Sequence, residues 1–224
     1  MSYLLPTPAI TALPITGRDE RFPVRRIYCI GRNYADHAKE MGAVPEKGTP
    51  IFFLKPADAI VTGNVVRYPP ATANLHHEVE MVLALGGSGA AVSVDDAPGL
   101  IAGYAVGLDL TRRDLQTAAK AKGNPWDTGK SFDDCAPIGA LTLGRPAPDA
   151  RLALSVNGVV KQSESIAAML WSSAEIISLL SDLYTLMPGD LIFTGTPAGV
   201  GPLERGDRLI ATVDGAAEYR AQIV

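Results

Sequence analysis

Two carboxylates one residue apart open a run that then turns apolar: His76-His77-Glu78-Val79-Glu80 leads directly into Met81-Val82-Leu83-Ala84-Leu85. Strand alternation turns Glu78 and Glu80 to one face. There, at the edge of an apolar core, like charges repel and lose hydration unless a cation sits between them. Asp109 supplies a third acid, within Gly103-Tyr104-Ala105-Val106-Gly107-Leu108-Asp109-Leu110, which otherwise reads as a buried strand. Three carboxylates with no cysteine near them select a hard ion, Mg2+ or Mn2+, with water positions left open. Any two of these acids alone read as a solvated strand entry or a turn; the trio favours the metal. His76 and His77 offer zinc as an alternative. Neighbours on a strand face opposite ways, however, so at most one can join the glutamates, and at least one supports them from behind.

A second set of polar residues has the types needed to act on a ligand of that ion. Asn33 and Asp36 predict a short capped helix closed by Gly42, which puts His37 and Glu40 at i,i+3 on one face. A carboxylate beside an imidazole fixes its tautomer and raises its basicity, as a general base for water requires; taken alone, such a pair is also an ordinary solvated face. Thr111 and Asp114 predict a capping box and a helix on which Arg113 and Gln116 share a face, a charged and a neutral donor for a developing oxyanion. Gly129-Lys130-Ser131 imitates the end of a phosphate-binding loop, but position 124 is Asn124 rather than the required glycine, and Pro125 removes a backbone donor. Nucleotide binding is therefore not expected. Lys130 remains a cation in a loop that contains Trp126. The Gly/Pro/Thr loop from Thr194 to Gly201 has backbone amides suited to a carboxylate.

These residues need a scaffold, and the rest of the chain describes one. At 224 residues and 47% hydrophobic content there is enough chain for one catalytic domain with a real core. The 22 Gly and 17 Pro predict short strands, shaped loops and few helices, an α+β fold. Strands are expected at Arg26–Ile30, Ile51–Leu54 and Leu191–Phe193. Hairpins are expected at Asn157-Gly158 and Asp214-Gly215, and a helix after the Ser172/Glu175 capping box. The stretch from Gly144 to Ala150 reads as a connector, and Val44 to Pro50 as a polar loop able to cover a site. Cys29 and Cys135 stand apart and define neither a disulfide framework nor a thiolate metal site, which points to a cytoplasmic setting. Met1 to Thr16 is broken by three prolines and does not read as a signal peptide, and no apolar run is long enough to cross a bilayer. A net charge of -4 gives no overall pull on nucleic acid or anionic lipid.

Taken together, GRNYADHAKE (31–40), FLKP (53–56), HHEVE (76–80), GLDLTRRDLQ (107–116), GKSFD (129–133) and PGDLIFTGTPAGVGP (188–202) resemble the fumarylacetoacetate hydrolase family, in its short single-domain acylpyruvate hydrolase branch. The resemblance runs from about Pro23 onward and implies an N-terminal arm over 1–22 and a catalytic domain over 23–224. It further implies a mixed β-roll and a homodimer. By resemblance, Glu78, Glu80 and Asp109 are the Mg2+ or Mn2+ ligands, and His37 with Glu40 is the catalytic dyad on a lid-like segment. Arg113, Gln116 and Lys130 hold substrate and stabilise its oxyanion, and Thr196 lies in a substrate-contacting turn. The implied reaction is hydrolytic carbon-carbon cleavage of a 1,3-diketo acid, most closely fumarylpyruvate in gentisate-type aromatic breakdown. A doubly acidic substrate needs a second cationic or amide-rich pocket, for which Arg32, Lys55 and the Thr194 to Gly201 loop are the candidates. The alternatives are a general acylpyruvase, an oxaloacetate decarboxylase, an isomerase of an unsaturated keto acid, or a metal-dependent binding protein without catalysis.

Overall fold

The apolar run that follows the acid pair becomes the middle of the main sheet. Val79–Leu85 is buried at every position, between antiparallel Ile101–Leu108 on one side and antiparallel Leu191–Phe193 on the other. Burial on both faces accounts for a strand that is continuously apolar after Glu80 rather than alternating. Leu191–Phe193 then pairs in parallel with Ile27–Gly31, and Ile51–Lys55 closes that edge while Thr142–Leu143 closes the other. The structure, a computed structural model, describes residues 3–42, 44 and 46–224. Met1 and Ser2 of the expected arm, and Pro45 of the expected covering loop, lie outside the described residues.

A second, five-stranded sheet takes the order Val159–Ser165, Arg151–Val156, Arg208–Val213, Tyr219–Ile223, Val65–Val66. It packs on the main sheet through Arg151–Val156 against Val79–Leu85 and Arg208–Val213 against Ile101–Leu108. Both hairpins of this sheet turn where Asn-Gly and Asp-Gly demand left-handed backbone: Asn157 has φ 52 and Gly158 and Gly215 have φ 80. A small three-stranded sheet joins Thr111–Arg112, Leu75–His77 and Gly201–Pro202, and so draws the three polar segments together. Near the N-terminus, Ala12–Pro14 pairs with Arg21–Pro23 and Leu13 is fully buried in the common core.

Among the described residues, four short helices complete the α+β fold: α1 (Ala35–Glu40), α2 (Arg113–Lys122), α3 (Asp127–Lys130) and α4 (Ser173–Leu183). The capping box of α4 forms as expected, with Ser172 Oγ accepting the Glu175 N–H and Glu175 accepting the Ser172 N–H, and Ile176, Ile177 and Leu180 face the core. The other two expected caps do not form. Asn33 is fully buried, and its amide serves three backbone groups: it donates to Trp171 O (3.0 Å) and Thr194 O (2.8 Å) and accepts from the Trp171 N–H (2.7 Å). A cap would have used only its oxygen, whereas a buried amide must satisfy both ends. Thr111 is likewise drawn inward, accepting from Lys130 Nζ (2.8 Å) and donating to Asp109 O (3.1 Å), while Asp114 accepts from Thr72 Oγ1. Among the described residues, no helix is long and apolar enough to cross a membrane.

Candidate active site

Glu78 sits at the break between Leu75–His77 and Val79–Leu85, and Asp109 lies one residue past the end of the partner strand Ile101–Leu108. The Asp109 N–H donates to Glu78 O at 2.8 Å, which fixes the two segments to each other. Glu78, Glu80 and Asp109 each present a carboxylate oxygen within 4.8 Å of the others, and all three residues are buried. Cations surround two of them. Lys130 Nζ donates to Glu78 Oε2 (2.7 Å) and Asp109 Oδ2 (2.6 Å), Arg113 Nη2 donates to Glu78 Oε1, and Lys55 Nζ lies 2.8 Å from Asp109 Oδ1. Burial alone would raise the Glu78 carboxyl, but Lys130 and Arg113 outweigh it and hold Glu78 far below the usual carboxylate range.

Glu80 is the carboxylate left short of positive charge. Its protein donor is the Gly195 N–H at 2.7 Å, and burial together with the charges of Asp109 and Glu78 pushes its carboxyl well above the ordinary value. An oxygen-only donor set, closely spaced, buried and under-neutralised, fits a hard divalent cation. The approach of Gly195 depends on having no side chain: its φ is 95, and a Cβ there would stand 2.6 Å from Asn33 Cβ.

The same cleft is lined by His37, Arg113, Gln116, Lys130 and Thr196, so every residue expected at the site meets there except Glu40 and Lys55. His37 Nδ1 faces Glu40 Oε2 at 3.3 Å, and Glu40 is itself held by the Gly199 N–H at 3.2 Å. Burial lowers the His37 pKa against the opposing pull of Glu78 and Glu40, which favours the neutral ring; with Nδ1–H turned to Glu40, Nε2 is left free to accept a proton. Arg113 Nη1 donates to Gln116 Oε1 at 2.6 Å, leaving the amide N–H2 of Gln116 as a donor. Lys130 reaches the carboxylates because α3 docks directly on α2: a Cβ on Gly129 would lie 2.9 Å from the Gln116 backbone nitrogen. His76 supports from behind, accepting from Arg113 Nε at Nδ1 (3.3 Å), and burial with the Arg113 charge lowers its pKa to about 4.

Two expectations about a second anion pocket are corrected. Lys55 does not face the cleft; it is fully buried against Asp109 and bonds the carbonyls of Leu110 and Lys130, because a carboxylate as deep as Asp109 requires its own counter-charge. The amides of the Thr194 to Gly201 loop that receive carboxylates are taken by the protein's own acids, Gly195 by Glu80 and Gly199 by Glu40. Arg32 does line the cleft.

Two further residues escaped the sequence reading. Gln162, buried in Val159–Ser165, accepts from the Val79 N–H (3.1 Å), pairs with His77 Nδ1 (2.9 Å) and donates to Thr196 Oγ1 and Pro197 O (2.8 Å each), tying the Thr196 turn to the acid-bearing strand. Nothing in its local pattern marks it. Lys120 also lines the cleft, and the signal for it was present: it stands four residues after Gln116 and seven after Arg113, on the same helix face.

A buried carboxylate trio with the donor set for a hard divalent cation, and in the same cleft a histidine backed by a glutamate, on two packed mixed sheets, is an arrangement suited to metal-assisted chemistry at carbonyl groups. The chain belongs to the fumarylacetoacetate hydrolase family and is an enzyme of that family: residues 26–224 match the family described as Fumarylacetoacetate (FAA) hydrolase C-terminal. It is 48% identical over 170 residues to a fumarylpyruvate hydrolase of Ralstonia sp, covering 75% of this chain and 88% of the relative. It is 43% identical over 203 residues to a mitochondrial oxaloacetate tautomerase of Mus musculus, covering 89% and 91%. The crystal structure of fumarylpyruvate hydrolase from Pseudomonas aeruginosa in complex with Mn2+ and pyruvate superposes with a TM-score of 0.96 at 46% identity, covering 100% of this chain and 99% of that one. The expected mixed β-roll of this family is the fold observed.

Proposed function

We propose that this protein hydrolyses a carbon-carbon bond of a 1,3-diketo acid, and that the substrate is fumarylpyruvate, cleaved to fumarate and pyruvate in gentisate-type aromatic breakdown. The observation that carries the reading is His37, backed by Glu40 at its Nδ1, lining one cleft with the buried carboxylate trio. The names of the Ralstonia relative and the Pseudomonas structure support it. Glu78, Glu80 and Asp109 would hold Mg2+ or Mn2+, which when bound supplies Lewis-acid polarisation of the keto acid oxygens. His37, oriented by Glu40, takes a proton from water at Nε2, and the oxygen of that water attacks the ketone carbon remote from the carboxylate. Arg113 and Gln116 donate to the oxyanion that forms, and Lys130, whose three N–H bonds go to Glu78, Asp109 and Thr111, adds its positive charge beside it. Its collapse breaks the carbon-carbon bond, releasing the acyl half as a carboxylate and the pyruvyl half as an enolate that takes up a proton to become pyruvate. Thr196 and Arg32 hold the substrate. The same reading carries a cytoplasmic homodimer, for which sedimentation should give about twice the 23.6 kDa chain mass.

A second reading is oxaloacetate tautomerisation, favoured by the mouse relative, in which a base moves a proton between carbon and oxygen and no water adds. Turnover of fumarylpyruvate, acetylpyruvate and oxaloacetate with and without chelator separates the two. Chelation should abolish diketo acid cleavage and Mg2+ or Mn2+ should restore it; full activity in metal-stripped protein contradicts the reading. Fumarylpyruvate should exceed acetylpyruvate in kcat/KM by more than about tenfold. Equal values would move the substrate to a simpler acylpyruvate, and oxaloacetate turnover alone would favour the tautomerase.

A further inference from the structure

Two cations in the cleft have no acid to answer them. Among the described residues, neither Lys120 nor Arg32 lies within 4.0 Å of a carboxylate, whereas Lys55, Arg113 and Lys130 each do. Arg32 Nε is buried without any hydrogen-bond partner, an arrangement that costs stability unless something outside the chain accepts from it. Its backbone is held at φ 61, in the left-handed region that a side chain as large as arginine rarely adopts. Lys120 Nζ stands over the face of Trp126, 5.0 Å from the ring centroid. Burial and the nearby positive charges of Arg32 and Arg113 lower its pKa to about 8, so the pair repel one another while no anion is present. Phe53 and Trp126, with ring centroids 6.1 Å apart, also line the cleft, and Lys130 Nζ stands 5.1 Å over Phe53. The aromatic wall therefore runs from the cation that touches the metal-site acids to the cation that touches none, which suits a flat, conjugated chain with an anion at each end.

We propose that Lys120 and Arg32 form an anion subsite at the more exposed end of the cleft, which receives a second carboxylate on the acyl half of the substrate. This rests on the diketo acid reading above and deepens it: the subsite selects dicarboxylate over monocarboxylate substrates, and it takes the place that Lys55 and the Thr194 to Gly201 amides cannot fill. Arg32 supplies a fixed planar donor, and Lys120, on the helix face it shares with Gln116 and Arg113, supplies a point charge against Trp126.

The test compares kcat/KM for fumarylpyruvate and acetylpyruvate in the parent, Lys120→Gln and Lys120→Arg proteins. The preference for fumarylpyruvate should fall roughly ten- to a hundredfold in Lys120→Gln, chiefly through KM, and return in Lys120→Arg, the effect of removing and restoring one charge-assisted hydrogen bond. A second arm does not depend on cleavage: equilibrium binding of fumarate and of crotonate, in which a methyl replaces one carboxylate, to protein saturated with Mn2+ and pyruvate. Parent protein should bind fumarate more tightly, and in Lys120→Gln that advantage should shrink by a similar factor, Arg32 remaining. If the parent cleaves neither diketo acid, the proposed function fails while the binding arm still decides the subsite. An undiminished preference for the dicarboxylate in Lys120→Gln, in either arm, overturns the proposal.

Discussion

At the scale of single residues, the site pairs most of its buried charges and leaves Glu80, Arg32 and Lys120 to be answered from outside the chain. His37 has its pKa lowered chiefly by burial, so as a general base it is already competent at neutral pH and must gain a proton to fail. With metal saturating, kcat/KM for acetylpyruvate, which has no second carboxylate for Lys120 to answer, should stay level through neutral pH and decline only as the medium turns more acidic; a decline that begins above pH 7 would contradict the assignment. His37→Ala should lose roughly two to four orders of magnitude in diketo acid cleavage, the usual worth of a positioned acid-base group. Lys55 leads to a different expectation. As one of two buried counter-charges of Asp109, the other being Lys130, it belongs to stability, and Lys55→Met should cost roughly 1.5–3 kcal/mol in denaturant unfolding, the worth of a hydrogen bond to a charged group. Unchanged stability with weakened substrate binding would return Lys55 to the role of a substrate contact.

Elements set which of these residues can meet. Helix α2 delivers Arg113, Gln116 and Lys120 because a 3.6-residue period returns positions i, i+3 and i+7 to one face, and α3 can dock beside it only because residue 129 is glycine. The Thr194 to Gly201 loop is positioned from four directions: Asn33 holds Thr194, Glu80 holds Gly195, Gln162 holds Thr196 and Pro197, and Glu40 holds Gly199. Gln162→Leu would leave the Val79 N–H without its side-chain acceptor, release His77 and free the Thr196 hydroxyl. Each buried polar group so stranded costs about 1–3 kcal/mol. The expected result is a loss of at least about 2 kcal/mol in urea unfolding together with a raised KM; a variant with parental stability and KM would show that the loop is positioned by other contacts.

Across the whole molecule, the two sheets converge on a charge cluster that is incomplete without a cation. Because Glu80 holds its proton more tightly than an ordinary carboxylate, metal uptake should release a proton and strengthen as pH rises. A ligand present at a hundredfold excess over Kd stabilises by about 2.7 kcal/mol, or roughly 5–10 °C in Tm for a chain of this size. Thermal unfolding with and without Mn2+ should show that shift, and Glu80→Gln should lose most of it. No shift in the parent protein would mean that the cluster is complete with the cations paired to Glu78 and Asp109 and the Gly195 N–H on Glu80.

What the amino-acid sequence determined by itself was whatever depends on near neighbours. The Ser172/Glu175 cap, the Asn157-Gly158 and Asp214-Gly215 turns, the apolar strand after Glu80 and the shared face of Arg113 and Gln116 all follow from backbone periodicity and the conformations that individual side chains permit. The candidate site was legible for a related reason: three acids at apolar strand ends are too costly to bury without a purpose, and a histidine three residues from a glutamate on a helix can hardly avoid it. Only the tertiary structure decided how buried polar groups choose among partners. Asn33 left its helix for carbonyls at positions 171 and 194, Lys55 went to Asp109, and Gln162 joined segments 83 to 85 residues away. Each of these choices is made by the requirement that a donor or acceptor removed from water find its complement, and that complement is selected by proximity in the folded chain, which no local pattern of residues encodes.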